Sequence, residues 1–365
     1  MSAPLYTLTA VQVRDLLNNN SLTVEDYARS LLDRIRERDG TIKAWAYLDT
    51  AFVLNQARAL DQIPQDQRGP LHGLAIGIKD IMNTKVPLSL GAQTGGSIIR
   101  PASFTGVFAM KPTHEAISTE GQKMFAPTFD TFGFFARSVG DLQLLADVFA
   151  LKDDEPPQEV PLDQVSVALV KTPMWESAGP GTVSAMNEAE KVLTSCGVHV
   201  EEVSFPPEVA NVEELKRIQK VITVGEAEVA FLREYRVNKT GLAPEICDIV
   251  ENVSNYTKRE QVQASDTYAN MRRIINNLAD KYSVILTPSA IDEAPLGLGN
   301  MGSATFNTLW TGFHMPVINL PVFHGPNGMP VGVSLVASRY RDQHLLKVSQ
   351  ILGEALAQKA CKERI

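Results

Sequence analysis

Apolar residues in the first sixty positions recur every three or four residues, which is the spacing of one face of an α-helix. The clearest case is 24–38, where Thr23 stands at the N-cap position and Gly40 follows the last apolar residue. Such flanking residues are the usual start and stop signals of a helix. Weaker patterns predict helices over 9–18 and 51–60, so the N-terminal part is predicted to be mostly helical.

The pattern changes after residue 69, where short apolar runs are closed by Gly, Pro or Thr. Three such runs lie in HGLAIGIKD at 72–80, in VPLSLGAQTGGSIIRP at 86–101 and in TGVFAMKPT at 105–113. Short apolar runs bounded by turn residues are typical of strands. We therefore predict buried strands here that end in functional loops.

Helical and strand patterns alternate in the second half, after a polar connector, DDEPPQEVP, at 153–161. This alternation predicts an α/β fold in which helices cover a largely buried, mostly parallel or mixed sheet. The predicted strands are 165–170, 198–203, 284–287, 317–321 and 331–336, and the predicted helices are 141–151, 181–196, 212–235, 258–280 and 343–357.

The composition is that of a soluble globular protein. Of 365 residues, 44% are hydrophobic and 21% are charged, close to the average for such proteins. The net charge is −8 and no segment concentrates Lys and Arg, so we expect no nucleic-acid partner. The N-terminus shows no basic or apolar leader, and no run approaches ~18 apolar residues. We therefore expect no membrane association and a cytoplasmic location.

Cysteines and histidines show no metal-binding spacing, so we expect no metal and no cofactor. A G-x-S-x-G segment is also absent, which argues against an ordinary α/β-hydrolase with a Ser-His-Asp triad. The cysteines are Cys196, Cys247 and Cys361, and the histidines are His72, His114, His199, His314, His324 and His344.

The tripeptide Gly95-Gly96-Ser97 is the first candidate for chemistry. Glycines before a serine allow a tight turn that directs several backbone N–H groups at one point. A serine on such a turn can attack a carbonyl while the N–H groups stabilise the developing negative charge, as an oxyanion hole does. The alternative is an ordinary Gly-Gly-Ser loop.

Lys79 is the second candidate. It follows the apolar stretch LAIGI and precedes Asp80, which places its ammonium group at the end of a predicted buried strand. A buried lysine loses proton affinity and can act as a base near neutral pH. The alternative is a strand-end lysine that reaches solvent and pairs with Asp80.

Three blocks, GPLHGLAIGIKD, LGAQTGGSIIRPASFTGVFAMKPT and FDTFGFFARSVGDL, occur in this order and resemble those of the amidase signature hydrolases. Segments before and after them are similar too, so the resemblance covers nearly the whole chain. It implies an amidase-signature α/β/α sandwich, with a large mixed central sheet flanked by helices and shortened by an internal gap. The chain would form one domain, 1–365, with a helical part at 1–68, the signature region at 69–151 and the remaining sheet and helices at 152–365.

The resemblance also implies an active site and a reaction. Ser97 matches the nucleophile and Lys79 the lysine base of a serine-serine-lysine triad, and the amides of Thr94, Gly95 and Gly96 match the oxyanion hole. Such an enzyme hydrolyses a small-molecule carboxamide through an acyl-enzyme, releasing a carboxylic acid and ammonia or an amine. A homodimer is also known in the family.

This chain departs from the family pattern in two places. Ser97 follows Lys79 by only 18 positions, and the family stretch with the bridging cis-serine is absent between them. Ser89 is interpreted as a strand residue. Gln93 and Ile99 stand where the family commonly has Asp and Arg, and because both charges are lost together, we expect the loop to keep its shape by neutral packing.

Further along the signature region, the family's structural acid and base are present as Asp130, Arg137 and Asp141, which we expect to anchor loops. Most of the phenylalanines after the signature are expected in the core, although a few could line an acyl pocket. They are Phe125, Phe129, Phe132, Phe134 and Phe135.

Two other functions stay open beside the amidase hypothesis. The missing bridging serine and the short sheet are also what a truncated, non-catalytic amidase relative would show. A glutamine-hydrolysing amidotransferase subunit, which passes ammonia to a partner protein, is the other alternative.

Overall fold

A computed structural model describes residues 3–78, 88–157, 159–297 and 299–362. The N-terminal part contains three helices, α1 (Ala10–Asn18), α2 (Val24–Ile42) and α3 (Thr50–Asp61), which confirms the predicted helical segment. Thr23 accepts a hydrogen bond from the Asp26 N–H at the start of α2. The predicted end of α2 before Gly40 is wrong, because the helix continues to Ile42 and ends where Lys43 adopts a left-handed conformation.

Within the described ranges, nine strands form one sheet. In chain order they are β1 (Ile76–Ile78), β2 (Leu88–Gln93), β3 (Phe108–Lys111), β4 (Thr131–Ala136), β5 (Ser166–Leu169), β6 (His199–Glu202), β7 (Val284–Pro288), β8 (Val317–His324) and β9 (Pro330–Val336). The remaining helices are α4 (Ile99–Thr105), α5 (Val139–Val148), α6 (Pro180–Ser195), α7 (Val212–Ala230), α8 (Leu232–Asn238), α9 (Pro244–Val250), α10 (Lys258–Ala279), α11 (Thr305–Gly312) and α12 (Asp342–Lys362).

The strand order in the sheet is β1-β2-β4-β3-β8-β9-β7-β5-β6. The pairs β1–β2, β5–β6 and β5–β7 are parallel, whereas β2–β4, β3–β4, β3–β8, β7–β9 and β8–β9 are antiparallel. The prediction of a mixed sheet is therefore confirmed and that of a mostly parallel one is wrong. The sequence pattern does not predict β4, and this strand joins β2 to β3 by pairing with both.

Helices cover both faces of the sheet and enclose two apolar cores. Alternate residues of a strand point to opposite faces, so Ala109 of β3 belongs to one core and Met110 to the other. The core with Met110 lies under α1, α2, α5, α6 and α12, and the core with Ala109 lies under α4, α7, α10 and α11. This is the α/β/α sandwich expected from the sequence.

The two ends of the sheet differ in character. The last strand, β6, exposes Glu201 and Glu202, and charged residues on an edge strand prevent pairing with other chains. The other end, β1, exposes Ile76 and Ile78, which are 37% and 78% accessible. The prediction of a buried strand before Lys79 is therefore wrong, since β1 is an edge strand with two isoleucines in solvent.

No helix within the described ranges is long and apolar enough to cross a membrane.

Candidate active site

Ser97 lies in the turn that connects β2 to α4. The strand ends at Gln93 and the helix begins at Ile99, so the turn consists of Thr94–Ile98. Arg100 donates its backbone N–H to the Gly96 carbonyl at 3.0 Å, which starts the first helical turn directly after the glycines. Ser97 is half-buried in this turn, so part of the residue stays accessible.

The side chain of Gln93 holds the turn together through hydrogen bonds. Its side chain is 1% accessible, and its Oε1 accepts the backbone N–H groups of Ile98 at 2.8 Å and Ile99 at 3.0 Å. Its Nε2 donates to the Thr311 hydroxyl of α11 at 2.8 Å. The turn is therefore held without an ion pair, by a neutral amide that makes three hydrogen bonds.

Helix α11 supports the turn from the opposite side. The Thr311 hydroxyl lies 2.7 Å from the Gly95 carbonyl oxygen, to which it donates. A Cβ on Gly96 would come within 2.7 Å of Asn307 Oδ1 and 2.8 Å of Ala304 Cβ, so only glycine fits without a shift of α11. The sequence predicts that the turn needs glycines, and the structure adds that close packing against α11 requires one of them.

Asp130 holds the third side of the turn. One oxygen of its buried carboxylate accepts the Thr94 hydroxyl, and the other accepts the backbone N–H groups of Phe125 at 2.5 Å and Ala126 at 3.0 Å. The carboxylate thereby joins the turn to the loop before β4. The predicted anchoring role of Asp130 is confirmed.

Arg137 and Asp141 anchor the N-terminal segment instead. The Arg137 guanidinium donates to the Leu8 carbonyl at 2.7 Å, and Asp141 Oδ1 accepts the Val11 N–H at 2.9 Å. Burial raises the pKa of Asp141 despite these hydrogen bonds. Both residues therefore have the predicted anchoring role, and the segment they anchor is the N-terminal one, not the turn.

Four predicted site residues, Thr94, Gly95, Gly96 and Ser97, are present in the turn itself. The backbone N–H groups of Gly95 and Gly96 donate no hydrogen bond to any residue in the described ranges, and the Ser97 hydroxyl has no hydrogen-bond partner there either. Lys79 lies outside the described residues, so its position relative to Ser97 is not assigned. Ser89 is a buried residue of β2, as predicted.

A cavity of about 360 Å³ lies beside α7 and α11, and no residue of the turn lines it. The side chains of Thr308 and Ala304, which line it, come within 3.3 and 3.9 Å of where a Cβ of Gly95 would be. The Arg100 guanidinium donates to the Gly302 carbonyl at 3.0 Å, next to this wall. The cavity is lined by Met174, Leu215, Lys216, Gln219, Lys220, Thr223, Val224, Tyr268, Ser303, Ala304, Thr305, Thr308 and Leu309.

None of the five phenylalanines after the signature lines this cavity. Phe129 and Phe134 are fully buried in the two cores, which confirms the expectation that most of the group is structural. The helix that does form one wall, α7, has no motif that could have identified it from the sequence. The place of α7 in the cavity wall depends on the tertiary structure.

A stacked pair of histidines supports the loop that Asp130 joins to the turn. The rings of His114 and His314 lie 4.0 Å apart, and their Nε2 atoms are hydrogen-bonded to the carbonyls of Pro127 at 2.8 Å and Thr128 at 2.7 Å. Burial lowers the pKa of both, that of His314 to about 2 with Arg272 contributing. Both rings are therefore neutral near pH 7.

Lys111 is a buried basic group that the sequence reasoning does not single out. Its side chain is fully buried at the end of β3, and Nζ donates to the Pro112 carbonyl at 2.8 Å. Burial lowers its pKa to about 7, although Asp342 opposes this shift. The only signal for it in the sequence is its place after the apolar run VFAM within the Lys-Pro-Thr motif.

The described part of the chain contains no cluster of His, Cys, Asp or Glu side chains arranged to hold a metal ion. The groups brought together at the turn are instead a hydroxyl, backbone N–H groups, a neutral amide and a carboxylate. This set is suited to acyl chemistry, in which a hydroxyl attacks and N–H groups stabilise the oxyanion.

Comparison with known proteins finds similar chains. A glutamyl-tRNA(Gln) amidotransferase subunit of Desulforudis audaxviator is 23% identical over 471 aligned positions, covering 94% of this chain and 95% of the relative. The corresponding subunit of Thermus thermophilus is 39% identical over 132 positions, which is 33% of this chain and 28% of the relative. The first alignment is longer than the 365 residues of this chain, so that relative has residues with no counterpart here.

Solved structures show the same fold. A crystal structure of an amidase superimposes with a TM-score of 0.80 at 21% identity, over 95% of this chain and 99% of the other. Fatty acid amide hydrolase superimposes with a TM-score of 0.81 at 16% identity, over 98% and 87% of the two chains. The sequence model of the amidase family matches residues 85–346. The chain belongs to the amidase family.

Proposed function

We propose that this protein hydrolyses a small carboxamide to a carboxylic acid and ammonia or an amine, through an acyl-enzyme on Ser97. The observation that carries the proposal is the geometry of the turn. Two backbone N–H groups, those of Gly95 and Gly96, have no partner among the described residues and belong to the two residues that directly precede Ser97 in the turn. Donors of this kind are worth about 3 kcal/mol each in acyl transfer.

The support around the turn favours the same chemistry. Gln93, Thr311 and Asp130 hold it from three sides through buried hydrogen bonds. A transition-state charge is stabilised best by dipoles that are already in place and need no reorganisation during the reaction. An ordinary surface Gly-Gly-Ser loop would have no need for such a buried support.

In the proposed reaction, Lys79 is the base in its neutral form. It accepts the proton of the Ser97 hydroxyl while Oγ bonds to the amide carbon, and Thr94, Gly95 and Gly96 offer N–H groups to the carbonyl oxygen. The C–N bond then breaks, and the leaving nitrogen takes the proton from the lysine. Water adds to the acyl carbon and releases the acid, which restores the Ser97 hydroxyl.

Ammonia release from a panel of simple amides by the 365-residue chain tests the proposal. We expect Ser97→Ala to abolish release and Lys79→Ala to reduce it strongly, while the matched control Ser89→Ala retains it. Retained turnover in Ser97→Ala would show that Ser97 is not the nucleophile. No turnover of any amide by the unaltered chain would favour the non-catalytic relative instead.

A second candidate is hydrolysis of glutamine as part of a complex. It is supported by the relative named as part of an amidotransferase, of which this chain covers 95%. Including glutamine in the same panel separates the two functions, because a glutaminase would prefer it over other primary amides by at least tenfold.

A further inference from the structure

We propose that the stacked pair His114–His314 positions the Gly95–Gly96 turn for the reaction. The inference rests on the proposed function and adds two positioning residues to it. Each ring acts through the loop that Asp130 joins to the turn, and the backbone of the pair is joined to α11. The two histidines thereby connect the supports that hold the turn from two sides.

One support reaches the turn through α11. The Thr311 hydroxyl donates to the Gly95 carbonyl at 2.7 Å, and the Thr311 carbonyl accepts the backbone N–H of His314 at 3.0 Å. His314 lies just after the end of α11 and has a φ of 64°, so the chain leaves the helix there. The His114 backbone N–H donates to the His314 carbonyl at 3.2 Å. The segments that follow β3 and α11 are therefore joined at the pair.

The other support reaches the turn through the loop before β4. Both rings donate Nε2–H to this loop, His114 to the Pro127 carbonyl at 2.8 Å and His314 to the Thr128 carbonyl at 2.7 Å. A carbonyl oxygen can only accept, so Nε2 carries the hydrogen in both rings. The same loop ends in the carboxylate that accepts the hydroxyl of Thr94 in the turn.

The two supports close into a ring of contacts that begins and ends at the turn. In order, its members are Gly95, Thr311, His314, Thr128, Asp130 and Thr94. The C=O and N–H of a trans peptide point in opposite directions, so the bond from Thr311 to the Gly95 carbonyl turns the Gly96 N–H away from α11. The bond at Thr94 fixes the residue before Gly95. The ring thus sets the direction of the oxyanion donors.

Stacking makes the two histidines one unit. Their ring centroids lie 4.0 Å apart and their planes are inclined by 19°. Burial lowers the pKa of both rings, so neither carries a charge near pH 7, and two neutral rings do not repel as two imidazolium ions would at this distance. The adjacent carbonyls of Pro127 and Thr128 are therefore held together.

Loss of one ring is expected to shift the loop without unfolding it. Glu226 of α7 also holds Thr128, because its carboxylate accepts the Thr128 N–H at 2.9 Å and the Thr128 hydroxyl. Oxyanion donors act at about 2.7–3.1 Å from the oxygen, and a displacement of about 1 Å can cost roughly 100-fold in rate. The oxyanion forms only in the transition state, so the loss falls on kcat and spares KM.

Variants of His114 separate the hydrogen bond from the stacking. His114→Phe keeps an aromatic ring and removes the donor to Pro127, whereas His114→Gln removes the ring and can place an N–H near the position of Nε2. With the amide that the unaltered chain hydrolyses fastest, we expect kcat to fall at least tenfold in His114→Phe while KM changes less than threefold. His114→Gln should remain within threefold of the unaltered enzyme. The matched control is His199→Phe, at an exposed position of β6, which should change neither constant.

A second variant tests the pair from its other ring. His314→Asn tolerates the positive φ, and its side chain is too short to reach the Thr128 carbonyl, so kcat should again fall with little change in KM. It keeps the test decisive if His114→Phe does not fold. An unchanged kcat per folded molecule in the variants that fold would overturn the inference, because a merely structural role lowers stability alone.

A further readout does not depend on hydrolysis. In protein labelled with ¹⁵N-glycine, the N–H resonances of Gly95 and Gly96 should move in His114→Phe and His314→Asn and stay in place in His199→Phe. Unmoved resonances in the first two variants would also overturn the inference. If the unaltered chain hydrolyses no amide, the proposed function fails, and the glycine resonances alone decide whether the pair positions the turn.

Discussion

Replacing Lys111 by methionine tests whether a neutral lysine is built into the core. Methionine has a similar length and flexibility and no charge, so it fills the same space. Lys111 is fully buried, its Nζ donates to the Pro112 carbonyl, and the groups that face it are Asp342, His114 and His314. Both histidines are neutral above pH 6.5 because their pKa values are lowered.

The magnitude follows from the pKa of the lysine. In the unfolded chain the pKa is 10.5, and burial lowers it to about 7 in the folded protein. Between these values the unfolded state binds a proton that the folded state does not, so stability rises with pH across this window. At about 1.4 kcal/mol per pH unit, the full effect is roughly 5 kcal/mol.

The expected result is a stability difference that depends on pH. Below pH 7 both states bind the proton, so the whole cost of burying the charge is present and Lys111→Met is more stable than the unaltered protein. The advantage decreases from pH 7 toward 10.5, and what remains is the loss of the hydrogen bond to Pro112, about 1 kcal/mol against the variant.

Urea unfolding of both proteins at pH 7, 8.5 and 10 measures this difference. Lys191→Met, at an exposed position of α6, is the control and should show no pH-dependent difference. Tyrosines and other lysines titrate in both proteins alike and cancel in the comparison. A difference that stays constant between pH 7 and 10 would refute a lowered lysine pKa, and with it the argument from burial.

Three further predictions concern the support of the turn. Gln93→Leu leaves the buried N–H groups of Ile98 and Ile99 without an acceptor, at about 1–3 kcal/mol each. Calorimetric unfolding should show this loss, and a stability equal to that of the unaltered chain would contradict the supporting role of Gln93. Gly96→Ala forces a Cβ against α11, so amide hydrolysis should fall at least tenfold with a stability loss of about 1–3 kcal/mol. The control is Gly69→Ala, where nothing lies within 4 Å of the new Cβ, and it should match the unaltered chain in both hydrolysis and stability. The pKa of His314 is lowered to about 2 in the folded protein, so the unfolded state binds more protons below pH 6.5 and stability should fall as the pH drops from 6.5 to 4. In His314→Asn, which tolerates the positive φ of 64°, the unfolding free energy measured in urea should depend less steeply on pH over this range. An equally steep pH dependence would contradict the lowered pKa of His314.

The local elements of this protein follow from the sequence, because their signals lie within a few residues of each other. The apolar spacing and the Thr23 cap are enough to predict α2, and most strands and helices of the second half are predicted within a few residues of their observed bounds. Gly95, Gly96 and Ser97 are identifiable as a candidate site because their chemistry is local to one turn. The resemblance of the signature blocks to those of the amidase signature hydrolases also indicates the family.

Strand β4 and the short helices α4, α9 and α11 escape prediction. For β4 and α4 the reason is that their local signals are ambiguous. The run TFGFFA at 131–136 is apolar on both faces and contains a glycine, so it shows neither helical spacing nor strand alternation, yet it forms β4 between β2 and β3. Helix α4 contains Pro101 among polar and branched residues, and proline early in a helix is tolerated only because the first turn needs no N–H donor there.

Contacts between distant residues depend on the tertiary structure. Gln93 and Thr311 are 218 positions apart, and no pattern along the chain indicates that the amide of one supports the turn with the hydroxyl of the other. The lowered pKa of Lys111 likewise arises from burial between the sheet and its helices, which is a property of the assembled core. Propensity and spacing are local, so the sequence is enough to show which residue types are available for acyl chemistry. Their environment and partners came from long-range packing, since burial and hydrogen bonding depend on every element that covers the site.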